Sequence, residues 1–301
     1  MYDIVVIGGG PAGMTAALYA ARAGKKVIIL EENAFGGQIA TAPLVENFPS
    51  AGAIVGAQLA DKMFEQVTAH GVDFDMGHGV IKHAEDGFVV TTEYGEFPCR
   101  AVVIATGVSH KPLNVAGEKE LSGSGVCYCA VCDGAFYKGK SVVVVGDGNS
   151  AAQYALYLAE MCNEVQLLTL FDKLFCDDEL KVRIAANDKI IWTKNVAVTE
   201  IVGESTVQGI AYRDADGAIT YADTDAVFVA IGQEPHNGDF AGIVELDGNG
   251  YVVAGEDCRT SCSGIFVAGD CRTKSVRQCT TAVGDGATAG FNAAMYVDNK
   301  K

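Results

Sequence analysis

The sequence predicts an α/β chain carrying two Rossmann-like, three-layer nucleotide-binding units, each with a small antiparallel meander. Three observations predict it. The apolar, β-rich run Tyr2 to Ile7 meets Gly8-Gly9-Gly10-Pro11-Ala12-Gly13 and then an Ala-rich helical stretch from Met14 to Ala23. The same order recurs where the strand-like run Ser141 to Val145 meets Gly146-Asp147-Gly148-Asn149-Ser150-Ala151 and a helical stretch. Each copy is followed by short β-rich segments separated by Asp-Gly turns, Asp86-Gly87 in the first and Asp216-Gly217 in the second.

Length and composition agree. A chain of 301 residues, 49% apolar with mean hydropathy +0.20, has material for about two packed cores. The formal net charge of −16 repels nucleic acid and anionic membrane, so neither is expected as a partner. Ile4 to Ala21 is uncharged, but four glycines and a proline interrupt it and no basic segment precedes it. The ten cysteines exceed what a chain with this much core needs for disulfide support. A reducing, cytoplasmic setting is expected, with most cysteines buried as small apolar residues.

In the first unit each glycine of G-x-G-x-x-G has a task. Gly8 permits the tight turn, Gly10 lets backbone N–H groups approach a pyrophosphate, and Gly13 lets helix and strand pack closely. Pro11 and Ala12 open the helix whose N-terminus faces the phosphates. Gly24 ends that helix, and Val27 to Leu30 form a second strand ending in Glu31, placed 21 residues after Gly10 to accept hydrogen bonds from a ribose. The loop from Phe35-Gly36-Gly37-Gln38 to Asn47 sets polar amides in apolar surroundings, either satisfied internally or bonded to a flavin ring. Val55 to His70 reads as an amphipathic helix, and Val80 to Phe97 as the meander. Ala101 to Ile104 is an apolar strand running into Ala105-Thr106-Gly107, a further cofactor-binding candidate.

The second unit departs where a nucleotide would be chosen. Counting 21 residues from Gly148 reaches Thr169, not an acid. No arginine follows for a 2′-phosphate, and Asp147 inside the turn opposes a pyrophosphate. NADPH is expected to bind poorly. Phe171 and Phe175 are either core or an exposed apolar patch. Near the end, Gly264 to Asp270 reads as a buried strand closing in Gly269-Asp270, with Asp270 placed to hold a ribityl hydroxyl. Arg277-Gln278 opens a final helix whose N-terminus stabilises negative charge on a flavin. Arg272, Lys274 and Arg277 form the densest basic cluster, read either as a solvated loop or as a docking patch for an acidic electron carrier.

Between the units lies Cys127-Tyr128-Cys129-Ala130-Val131-Cys132-Asp133-Gly134. Taken alone, its cysteines fit either a redox dithiol or ligands to zinc or an iron–sulfur cluster. Asp133 is placed to move the protons that accompany electrons. Cys258, Cys262, Cys271 and Cys279 have poor metal spacing, and no metal is expected.

Together, the Gly-rich fingerprint, Gly36-Gly37-Gln38 with Asn47, Cys129 to Asp133, and Gly269-Asp270 with Arg277-Gln278 resemble the low-molecular-weight thioredoxin reductase family, essentially end to end. The resemblance implies an FAD domain made of residues 1–112 and 239–301, with a smaller domain, 113–238, inserted in it and carrying the dithiol. It also implies a homodimer and thioredoxin as disulfide substrate. Cys132 would take electrons from the flavin, Cys129 would attack the partner disulfide, and Asp133 would be the acid/base; Cys127 then reads as packing. Members using NADPH carry arginines where this chain has Leu170, Phe171 and Phe175. The pattern resembles a branch with a degenerate NADPH site that includes flavin-type ferredoxin–thioredoxin reductases, so ferredoxin is the expected donor. Two alternatives stand beside this reading: weak use of NADH or NADPH by the same enzyme, and a non-turnover flavin redox sensor or cysteine-metal module.

Overall fold

The computed structural model describes residues 1–42 and 44–300. The chain forms two compact units, Met1–Ser109 with Glu234–Lys301, and His110–Gln233. Residues 110–112 thus fall in the second unit and 234–238 in the first.

In the first unit, β1 (Tyr2–Ile7), α1 (Pro11–Arg22) and β2 (Val27–Glu31) are followed by α2 (Gly56–Thr68) and β3 (Asp73–Met76). Next come β4 (Val80–Ala84), β5 (Gly87–Thr91) and β6 (Glu96–Ile104). The sheet runs β3-β2-β1-β6-β5-β4, and the late strand Ile265–Val267 also pairs with β6. The meander and the parallel sheet are one structure because β6 serves both. Its Cys99 pairs with Tyr2 in parallel and with Phe88 in antiparallel register. Sequence reading divided this strand in two. It also missed β3, whose residues Asp73, Phe74, Asp75 and Met76 are all exposed and so carry no apolar alternation. β3 is held by pairing its backbone with β2.

Both faces of the parallel strands are covered, so they read as continuous apolar runs. Ile4, Val6 and Ile29 pack under α1 and the C-terminal helix Cys279–Asn299. Val5, Ile7 and Leu30 face Phe88, Phe240 and Val252 on the other side. The two helices meet through small residues. A Cβ on Gly286 would lie 2.3 Å from Ala12 O, and one on Gly290 would lie 2.2 Å from Ala16 O. Backbone, and not side chain, sets that spacing.

The second unit has a five-stranded parallel sheet, in the order Ile190–Thr193, Glu164–Leu168, Ser141–Val145, Ala226–Val229, Val126–Cys127. Helix Asn149–Met161 covers the face of Val142 and Val144. The separate meander Ala197–Gly203, Val207–Arg213, Ile219–Asp223 covers the face of Val143 and Val145 through Ile201, Ile210 and Tyr212. This gives three layers. A short helix, Asp178–Ala185, was not foreseen. No helix among the described residues is long and apolar enough to cross a membrane.

The packing makes opposite predictions for two glycines of one helix. Gly290→Val forces a side chain into the α1 backbone and is expected to lower unfolding free energy by about 1–3 kcal/mol. Gly284 is exposed, and a Cβ added there would meet nothing within 4 Å, so Gly284→Ala is expected to raise it by about 0.5–1 kcal/mol. Urea denaturation of the purified variants checks both; equal stability of Gly290→Val and the parent contradicts the packing argument.

Candidate active site

The first glycine turn is shaped by close backbone approaches. Gly8 has φ +109°, and a Cβ there would lie 2.3 Å from Ala105 O. A Cβ on Gly13 would lie 1.9 Å from Gly8 O. Gly10 is different: the nearest atom to its Cβ position is Gly37 Cα at 3.9 Å, so the space over it stays clear for a ligand. Pro11 occupies the first turn of α1, where its missing N–H costs nothing. The Glu31 carboxylate accepts from Gly9 N at 2.6 Å and Asn33 N at 2.9 Å, tying the end of β2 to the turn.

Around this turn the structure gathers the other candidates of the first unit. Gly36 and Gly37 both take positive φ, and Gln38 donates its amide to Val108 O. Asn47 Nδ2 donates to Gln278 Oε1 at 3.1 Å, joining two residues 231 positions apart. Gln278 caps the C-terminal helix reciprocally with Thr281. After Ala105, Thr106 Oγ1 donates to Asn237 Oδ1 at 3.0 Å, and Gly107 has φ +69°. Asn237 is fully buried and donates to Gly250 O and Cys271 O. Sequence reading missed it, because an isolated Asn beside a glycine looks like any turn.

Asp270 follows Gly269 (φ +82°). Burial pushes its carboxyl up to about 6, against the opposing pull of Lys274 and Arg277. Among the described residues its Oδ1 is the one buried side-chain polar atom without a partner. A buried acceptor of this kind fits a ligand hydroxyl. Arg277 donates from Nε to Asp270 O at 3.2 Å and lies over the Tyr251 ring at 4.2 Å. The basic cluster is not a docking patch. Arg272 and Lys274 are buried and bound to Asp285, because a cation taken out of water needs a counter-charge. With its open glycine turn and orphaned carboxylate oxygen, this set fits the pyrophosphate and polyol chain of FAD.

In the second unit, Cys129 and Cys132 form a disulfide with Cα atoms 5.3 Å apart. Cys129 caps the short helix Ala130–Asp133, its Sγ accepting from Cys132 N at 3.2 Å. Cys132 is exposed and Cys129 half-buried. Asp133 follows Cys132 in the same short helix and is half-buried. Burial pushes its carboxyl up to about 6, opposed by a hydrogen bond from Cys127. The Cys127 thiol is buried and pushed up to about 12, which leaves it protonated and unreactive. Among the described residues no three His, Cys, Asp or Glu side chains converge as a metal site. Two features here went unread in the sequence. Val131 and Phe136 expose apolar surface beside the disulfide. The buried Glu118 carboxylate accepts from Leu113 N at 2.8 Å, Asn114 N at 2.7 Å and Tyr128 Oη at 2.9 Å, fixing the residue before Cys129.

The segment after Thr169 bonds back to the second glycine turn, while the space over Gly148 stays clear, a Cβ there meeting nothing within 4 Å. Phe175 N donates to Asp147 O at 2.7 Å, Phe171 N to Asp147 Oδ1 at 3.1 Å, and Asp177 N to Asn149 Oδ1 at 2.9 Å. Phe175 also bridges to Gly148. Thr169, at the position of a ribose-binding acid, is buried and bonded to Phe171 O and Trp192 Nε1. Leu170, Phe171 and Phe175 are exposed, the two rings meeting edge to face at 5.3 Å. They are a surface patch and not core.

Comparison with known proteins agrees with this architecture. Residues 2–286 match the pyridine nucleotide-disulphide oxidoreductase family. Thioredoxin reductase of Listeria monocytogenes is 41% identical, covering 100% of this chain and 95% of its own. A Clostridium pasteurianum protein named as the 34.2 kDa protein in rubredoxin operon is 39% identical, covering 99% of this chain and 98% of its own. The crystal structure of thioredoxin reductase from Streptococcus pyogenes superposes with TM-score 0.95 at 39% identity, over 99% of both chains. The chain belongs to the low-molecular-weight thioredoxin reductase family of FAD-binding disulfide oxidoreductases.

Proposed function

We propose that the protein reduces thioredoxin through the Cys129–Cys132 pair, with electrons arriving from a one-electron carrier of the ferredoxin type and not from NADPH. The disulfide beside Asp133 carries the first half of this reading. The unit Met1–Ser109 with Glu234–Lys301 serves as the FAD domain and His110–Gln233 as the dithiol domain. Gly8, Gly10, Pro11, Ala12 and Gly13 cradle the pyrophosphate, with Glu31 at the ribose. Gly36, Gly37, Gln38, Asn47, Ala105, Thr106, Gly107, Gly269, Asp270, Arg277 and Gln278 line the rest. Bound FAD supplies the means to collect electrons and deliver them in pairs.

Two electrons and two protons break the Cys129–Cys132 bond and leave a dithiol. Cys132 is the sulfur that receives the electrons. Cys129, as thiolate, attacks the thioredoxin disulfide and forms a mixed disulfide. Cys132 then displaces thioredoxin as its dithiol and regenerates the internal bond. Asp133 shuttles the proton. Exposed Val131 and Phe136 suit the apolar core of a contact with a protein partner. A homodimer is also inferred: Tyr19, Phe291 and Met295 of the first unit present exposed apolar surface.

The donor reading rests on the residues around the turn at Gly146–Ala151. Asp147 and the 171–177 segment satisfy one another, Thr169 replaces the acid, and no arginine stands between 169 and 178. The Clostridium relative is named for its place in a rubredoxin operon, in keeping with a protein donor. One observation favours a second reading, use of NADPH or NADH: relatives about 41% identical are named simply thioredoxin reductase.

Three outcomes are expected. Cys129→Ser abolishes thioredoxin reduction while the flavin is still reduced; normal turnover by this variant sinks the dithiol assignment. Under anaerobic conditions reduced ferredoxin bleaches the flavin absorbance, and micromolar NADPH or NADH does not; rapid bleaching by either nucleotide reverses the donor assignment. A proton donor with its carboxyl at about 6 is acidic below that pH, so turnover falls as pH rises through that range. Asp133→Asn removes this limb and lowers turnover about 10²–10⁴-fold; an unchanged profile assigns the proton elsewhere.

A further inference from the structure

In the FAD-binding unit, three ionisable side chains are buried together behind the Gly269-Asp270 turn. Asp285, on the C-terminal helix, accepts from Arg272 Nε at 2.9 Å and Arg272 Nη2 at 2.8 Å. It also accepts from Lys274 Nζ at 2.8 Å and Gly269 N at 3.1 Å. The side chains of Arg272, Lys274 and Asp285 are only 3%, 7% and 10% exposed, so solvent screens them little. Two cations face the Asp285 carboxylate, and the buried Asp270 carboxyl lies in the field of both Lys274 and Asp285.

The cluster stands at the base of the cofactor cradle. A Cβ on Gly269 would lie 2.8 Å from Ala12 Cβ, and Gly286, next to Asp285, is pressed against Ala12 O. Ala12 is in the first turn of α1, where a pyrophosphate is received. The Asp285 carboxylate therefore fixes Gly269, and Gly269 carries Asp270 with its unpartnered Oδ1. Burying three charges is costly when well-packed apolar residues would hold the fold as well. A role toward the cofactor accounts for their presence.

We propose that the Arg272–Lys274–Asp285 cluster is a positioning element for bound FAD that acts through the Gly269-Asp270 turn and whose buried charge sets the flavin midpoint potential. A flavin gains negative charge on reduction, so a buried cation nearby favours the reduced form and a buried anion opposes it. Removing each sign of charge must then move the potential in opposite directions. A loosened fold has no such sign rule.

The test is spectroelectrochemical titration of the FAD-loaded enzyme at low salt, without thioredoxin or donor protein. Lys274→Met retains the Arg272–Asp285 pair and is expected to shift the potential to more negative values. Asp285→Asn is expected to shift it to more positive values and, by loosening the hold on Gly269, to weaken FAD retention about tenfold. Glu256→Gln removes an exposed carboxylate 3.9 Å from Arg272 and is expected to shift nothing. Shifts of the same sign in Lys274→Met and Asp285→Asn, or no shift in either, overturn the proposal. If Asp285→Asn does not retain FAD, Lys274→Met decides alone: a more negative potential supports the proposal, and an unchanged or more positive one overturns it. With every protein in the titration also carrying Cys129→Ser, the readout involves neither thioredoxin nor the redox disulfide, so failure here is distinct from failure of the proposed turnover.

Discussion

The close approach of α1 to its neighbours is the constraint on which the first unit depends. Gly13 lets the helix start against Gly8, and Gly286 and Gly290 let the C-terminal helix lie against Ala12 and Ala16. With any side chain at these points the helices would separate, and with them the turn, Gly269 and Asp270. Segments from the two ends of the chain meet here. A helix formed near residue 11 is locked by one formed near residue 290. The cradle is therefore a product of long-range backbone packing, and its polar groups are carried on elements that cannot shift independently.

The second unit repeats the frame with different residues around its turn. Its glycine turn has the same strand before and helix after, but the segment beyond Thr169 folds back on it through Asp147 and Gly148. The unit carries the Cys129–Cys132 disulfide. Val126–Cys127 joins the parallel sheet as its edge strand, and Glu118 ties Tyr128 to the preceding turn, so Cys129 leaves a rigid platform. Cys127, two residues before the Cys129 half of the disulfide, is kept protonated by burial.

Much of this was legible in the sequence because glycine spacing reports backbone geometry directly. Gly8, Gly10 and Gly13 have distinct local tasks, and each spacing survives translation into three dimensions. The disulfide motif was legible for the same reason: C-x-x-C places two sulfurs on one turn. Long-range polar partners were not legible. Nothing local pairs Asn47 with Gln278, Thr106 with Asn237, or Arg272 with Asp285. The basic cluster misled because charge density along a chain does not reveal burial. β3 was invisible because an exposed strand pairs through backbone and needs no apolar pattern. The ambiguity over Phe171 and Phe175 was of the same kind, since an aromatic pair has one composition whether inside or outside.

Cys129 is the sulfur proposed to attack thioredoxin. Trapping tests it most directly. Cys132→Ser enzyme is mixed with a thioredoxin that keeps one active-site cysteine, activated by thionitrobenzoate, and the adduct is mapped by mass spectrometry. A single mixed disulfide at Cys129 is predicted, with Cys127 unmodified. No adduct, or an adduct at another cysteine, contradicts the account.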